Sequence, residues 1–114
     1  MNDCLFCKIS DGRIPSDKVY ESDTFFGIND INPQAPTHIL IVPVREIVSI
    51  NDLAPGDAAL VGKMVLMGKQ LAEERGFAED GYRLVFNVGD DGGQTVDHIH
   101  LHLLGGRAMA WPPG

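Results

Sequence analysis

The run His98-Ile99-His100-Leu101-His102-Leu103-Leu104 constrains this chain more than any other segment. Successive side chains of a β-strand point to opposite faces, so strict alternation puts three imidazoles on one face and Ile99, Leu101 and Leu103 on the other. A helix would scatter both sets. The pattern predicts a half-buried strand over residues 96–104. Its polar face carries groups that titrate near neutral pH, because imidazole has an unperturbed pKa of about 6.5. Thr, Ser, Lys or Glu would serve a merely solvated face, so three aligned histidines point to chemistry.

The remaining segments supply a frame for that strand. Residues 19–21 and 24–28 flank Ser22-Asp23 in a hairpin-like pattern, and residues 38–42 are branched and short enough for a buried strand. Residues 82–88 alternate into another strand. Beyond Pro55 no proline interrupts the chain as far as Gly76, and Leu60, Val61, Met64, Val65, Met67 or Gly68, and Leu71 recur at helical spacing. Gly76 is the expected residue just past that helix. Residues 4–10 read as a brief helical turn or loop. At 114 residues with 44% hydrophobic side chains, the chain is expected to form one domain, residues 1–114, with a real core. The order of elements predicts an α+β fold, an antiparallel sheet with the long helix on one face.

Composition excludes several functions. A formal charge of −7 argues against binding nucleic acid or an anionic membrane, which depends on neutralising phosphates with Lys and Arg. No apolar run approaches the roughly 20 residues of a membrane span. Residues 1–4 lack the basic start and apolar stretch of a signal peptide, so a cytoplasmic, disulfide-free protein is expected. The two cysteines, Cys4 and Cys7, have the spacing of half a structural zinc site, which His98 or Glu46 could help to complete.

Covalent catalysis needs a nucleophile, a partner to orient it and groups that stabilise charge. His100 is the natural nucleophile, because its neighbours two residues away lie about 7 Å off on the same face. Gly92, Gly93, Gln94 and Thr95 precede the run and can present backbone N–H groups to phosphate oxygens. A metal site is the competing reading of the same histidines, with His38 as a further ligand, although no carboxylate shares their strand face. Asp30, at the mouth of the proline-rich loop over residues 30–36, suits paired sugar hydroxyls. The ending Trp111-Pro112-Pro113-Gly114 carries a large aromatic that a lone chain has little reason to keep.

These residues resemble the histidine triad (HIT) superfamily. The run over residues 98–104 matches its alternating signature. Residues 30–38, Gly81-Tyr82-Arg83, Asn87, residues 92–94, residues 104–107 and the terminal Trp-Pro-Pro-Gly resemble its Hint, or histidine triad nucleotide-binding, branch. The resemblance implies a five-stranded antiparallel sheet with one long and one short helix. It also implies a homodimer with a ten-stranded sheet, and hydrolysis of purine nucleoside phosphoramidates to the monophosphate and an amine. By that pattern His100 is nucleotidylated, His102 contacts phosphate oxygens, and His38 and His98 orient the nucleophile. Asp30 would bind ribose, and Phe6, Ile9, Ile14 and Ile31 would sandwich the purine. Asn87, Gly93, Gln94 and Thr95 would serve the phosphate or leaving group, and Trp111 would reach the partner's site. No cofactor is required for that reaction, and zinc at Cys4 and Cys7 would be structural. The chain departs from the pattern at Thr95, usually Ser, at Asp97, usually aromatic, and at Glu46, where zinc-binding relatives carry His. The rival readings are a nucleotide-binding adaptor and a zinc-dependent hydrolase.

Overall fold

Alternation governs how this chain layers itself. The structure, a computed structural model, describes residues 4–114, so the amino-terminal reading of residues 1–3 falls outside the described residues. Five strands form one antiparallel sheet in the order β1-β2-β3-β5-β4, with β1 Lys18–Glu21, β2 Phe25–Asn29, β3 Thr37–Pro43, β4 Tyr82–Phe86 and β5 Leu101–Gly105. Helix α1 spans Leu5–Ser10 and α2 spans Ala58–Glu74. The expected α+β class, the sheet and the one long and one short helix are all present.

The register assigns each face. Leu40 lies opposite His102 and His38 opposite Leu104, while Ile39 and Ile41 lie opposite Leu103 and Leu101. Ile39, Ile41, Leu101 and Leu103 build the main core beneath α2, together with Met64, Met67, Leu71, Phe77 and Phe25. Leu40, Val42, Phe26 and Ile28 form a second cluster on the other face, against Phe6 and Ile9 of α1. The histidines therefore share the α1 face of the sheet.

Helix α2 turns a narrower stripe inward than its sequence suggests. Met64, Met67, Gly68, Leu71 and Ala72 are buried at the i, i+3, i+4, i+7, i+8 spacing, whereas Val65 is 38% exposed and does not belong to the core face. Gly68 makes the close approach possible, since a Cβ there would come within 2.9 Å of Leu84. Pro55–Asp57 forms a separate 3-10 turn ahead of the helix.

The histidine strand is shorter than predicted. Its ladder starts at Leu101, not at residue 96, because pairing with β3 runs out towards Pro43, which has no N–H to give. Residues upstream find other partners: Ile99 N–H donates to Ile47 O at 2.6 Å. Strand β4 likewise ends at Phe86 rather than residue 88.

At the end of β5, a Cβ on Gly105 would overlap the buried Phe77 ring. Gly105→Ala should therefore cost about 1–3 kcal/mol or more through overpacking, read as a lower urea midpoint, whereas an unchanged midpoint would show that Phe77 yields freely.

Candidate functional site

Main-chain groups determine where each imidazole carries its proton. His100 Nδ1 lies 2.8 Å from the His98 carbonyl. A carbonyl only accepts, so Nδ1 carries the hydrogen and Nε2 keeps its lone pair. His38 is set the opposite way, because the Gln34 backbone N–H donates to its Nδ1 at 3.1 Å. His38 Nε2 then carries the proton and donates to His102 Nδ1 at 2.9 Å. It also lies 3.4 Å from Asp30 Oδ2. With its Nδ1 accepting, neutral His102 must hold its proton on Nε2. His98 Nε2–H donates to Pro43 O at 2.8 Å, which leaves its Nδ1 bare.

Burial keeps all four rings neutral. Desolvation lowers the pKa of His38, His98 and His100 below the ordinary value. His102 is pushed down to about 4, first by desolvation and then by its neighbours His100 and His38. Phe6 packs against both His98 and His100, with ring centroids 5.8 and 5.0 Å away. Helix α1 thus holds two of the three aligned rings in place.

His100 and His102 lie in the wall of a cleft of about 590 Å³. Phe6, Ile9, Ile14, Ile31, Asp30, Thr95, His100 and His102 line it, joined by Ile28 and Leu40. Sequence reasoning missed the last two, although their places on the strands that flank the histidines could have located them. Ile31 is fully exposed above the cleft while Phe6 and Ile9 are buried, so an apolar slot lies between them. Asp30 comes from the loop after β2 and supplies the carboxylate beside the histidines that no residue of their own strand could offer.

The glycine-rich loop is more occupied than its sequence suggests. Gly93 N–H donates to Asp90 O and Gln94 N–H to Gly89 O, both at 3.0 Å. The Gln94 side chain ties the loop together, accepting from Gly89 N–H and donating to Val48 O and Val96 O. These contacts use the Gly93 and Gln94 amides within the turn and give Gln94 a bracing role. Asn87 donates to Gly92 O at 2.7 Å. It lines a second cleft, of about 310 Å³, on the far side of His102. Trp111 is 82% exposed and lines neither cleft.

Cys4 and Cys7 meet His98 at the start of α1. Cys4 Sγ caps the helix by accepting from Cys7 N–H, and the two sulfurs lie 3.1 and 3.6 Å from His98 Nδ1. The structure joins the two cysteines in a disulfide, where the sequence led us to expect free thiols. A buried, bare Nδ1 needs a donor or a cation opposite it, and disulfide sulfurs supply neither. Reduced, the same atoms form a Cys₂His group whose ligand atoms all lie within 4.8 Å of one another. Its softness and the Nε2–H bond to Pro43 O suit zinc.

Residues 3–110 match the family model described as Scavenger mRNA decapping enzyme C-term binding. The purine nucleoside phosphoramidase of Escherichia coli K12 is 49% identical over 105 residues, covering 92% of this chain and 88% of that protein. A HIT family hydrolase from Legionella pneumophila superposes with a TM-score of 0.96 at 54% identity, covering 98% of this chain and 100% of that one. A Zn-bound histidine triad family protein from Mycobacterium smegmatis superposes at 0.80 with 35% identity, covering 92% of this chain and 76% of that one.

Neutral histidines with depressed pKa values bind fewer protons in the folded chain than in the unfolded one, so stability falls as pH drops below about 6.5. His102, pushed lowest, should account for the largest part of that loss. Urea unfolding at pH 7.5 and pH 5 should show the loss, and equal midpoints would contradict the depressed values.

Proposed function

The chain belongs to the Hint-like branch of the histidine triad family, and we propose that it hydrolyses purine nucleoside phosphoramidates through a nucleotidylated His100. The observation that carries this reading is the His100 Nδ1–H bond to the His98 carbonyl, which leaves Nε2 as a free lone pair at the cleft. An adaptor that only bound nucleotide would have no need to orient one.

The reaction has two steps. His100 Nε2 attacks the phosphorus, the P–N bond to the amine breaks, and the departing nitrogen takes a proton relayed from solvent through the Thr95 hydroxyl. The imidazolium so formed keeps its Nδ1–H on the His98 carbonyl, and His102 Nε2–H donates to a phosphate oxygen. Water then attacks the phosphorus, breaks the P–Nε2 bond and releases the monophosphate and a proton. Phe6, Ile9, Ile14 and Ile31 hold the purine, and Asp30 accepts from the ribose hydroxyls. Asn87 and Gly93 border the leaving-group side, and Gln94 braces their loop. No metal takes part in these steps.

Cys4, Cys7 and His98 would hold a structural zinc when reduced, and the charge of Glu46 acts on His98. The zinc supplies a cross-link between α1 and the histidine segment. The active form is a cytoplasmic homodimer in a ten-stranded sheet, supported by the open edge of β4 and by the exposure of Trp111, which reaches towards the partner's site. The chain, residues 1–114, acts as one domain, without nucleic acid or membrane partners.

His100→Ala should cut AMP release from an adenosine 5′-phosphoramidate by at least about 10³-fold while AMP binding persists, with chelator present throughout. Turnover in the variant near that of the unmodified protein would overturn the assignment. Native mass spectrometry of protein purified in reducing buffer should give a two-chain mass carrying one zinc per chain. A single-chain mass would remove the dimer, and a metal-free mass the zinc.

A further inference from the structure

Cys4 and Cys7 are the only cysteines of the chain, and both meet one buried ring, that of His98. The two links these sulfurs can make differ in reach. The disulfide joins residues 3 apart in sequence, at the start of α1. It closes a loop inside one turn and ties the helix to nothing else. A metal ion shared by the same sulfurs and His98 Nδ1 would tie α1 to a ring 91 residues beyond Cys7. A cross-link restrains the chain more, the longer the loop it closes, so the two states hold α1 very differently.

The cargo of α1 makes that difference matter. Phe6 and Ile9 pack on Phe26, Ile28, Leu40 and Val42, and both line the larger cleft. Ile14 lines it too, and its N–H donates to Lys8 O at 3.1 Å. These three apolar walls therefore move with the helix. A helix of 6 residues does not hold itself. Without a link to His98, the packing of its two buried side chains is what docks it.

We propose that Cys4 and Cys7 form a redox switch on nucleotide affinity. Reduced, the pair takes up zinc and pins α1 to the histidine segment; oxidised, it releases the metal and α1 spends part of its time undocked. The inference rests on the zinc and nucleotide readings given above. The oxidant is a low-molecular-weight disulfide, which the half-buried sulfurs admit. One cysteine thiolate attacks a sulfur of this reagent, forming a mixed disulfide and expelling one small thiolate. The other cysteine thiolate attacks the protein sulfur of that mixed disulfide, closes the Cys4–Cys7 bond and expels the second small thiolate. Two electrons thus pass to the reagent, its thiolates take protons from water, and the zinc ion leaves. The disulfide form keeps α1 docked in the structure, so oxidation weakens binding without abolishing it.

The test compares protein reduced and loaded with zinc against the same protein treated with oxidised glutathione. Zinc should pass to a chromogenic chelator as the denatured mass of the chain falls by two hydrogens. Calorimetry should show AMP bound roughly two- to fivefold more weakly, as when α1 is docked for a half to a fifth of the time. Amides of residues 5–10 should exchange faster, and dithiothreitol with zinc should restore both readouts. Reduced protein stripped of zinc should match the oxidised form. Full affinity in that stripped form, or lost affinity without faster exchange, overturns the route through α1. Equal affinity in the zinc-loaded and oxidised forms overturns the switch while the zinc and nucleotide readings stand. Reduced protein that takes up no zinc removes the zinc reading and the switch with it. Absence of AMP binding in every form removes the nucleotide reading and the switch.

Discussion

The pairing of β3 with β5 is the constraint on which the site depends. Register places His38 beside His102, and two backbone groups, the Gln34 N–H and the His98 carbonyl, then decide which nitrogen of His38 and of His100 carries hydrogen. Side chains alone could not do this, since an imidazole accepts either tautomer until a partner with one fixed role is set against it. The carbonyl can only accept and the amide can only donate. From those two fixed roles the His38–His102 bond inherits its direction, and the lone pair of His100 Nε2 its position. Desolvation reinforces the arrangement, because a ring withdrawn from water resists taking a second proton and its charge.

Much of this was legible in the sequence, for reasons that can be traced to particular residues. The alternation over residues 98–104 assigned Leu101 and Leu103 to the core and the imidazoles to the opposite face, because the period of two belongs to extended backbone whether or not a ladder forms. It could not show that the ladder stops at Leu101, since that depends on Pro43 in a strand far away in sequence. The helix over residues 58–74 was visible in its periodicity, but Val65 fits the helical spacing as well as its neighbour Met64 does, and only packing against the sheet separates the buried Met64 from the exposed Val65. Asp30 was placed by resemblance as a ribose ligand. Its approach to His38 is a tertiary fact, produced by the loop between β2 and β3. The glycine-rich loop misled in a different way. Glycines reveal where backbone can turn, whereas the turn itself consumes some of the amides that make such a loop attractive to phosphate.

His98 occupies an unusual position, because it serves two neighbourhoods with separate atoms. Its ring faces the sulfurs of Cys4 and Cys7 and the Pro43 carbonyl, and its own carbonyl holds His100. The ring is buried to 1% exposure, so its orientation is not free to change without disturbing the strand. Phe6 lies between the two neighbourhoods and belongs to the same short helix as Cys7. An α1 of six residues is too short to be stable by itself. What anchors it at Cys4 therefore also steadies the apolar cleft and the ring of His100.

The two clefts on either side of His102 divide recognition by physical kind. The larger cleft is lined by Phe6, Ile9, Ile28 and Leu40, which favour a flat apolar ring with little directional preference, because apolar contact is non-directional. The opposite side is polar and cationic, where recognition is directional and depends on charge.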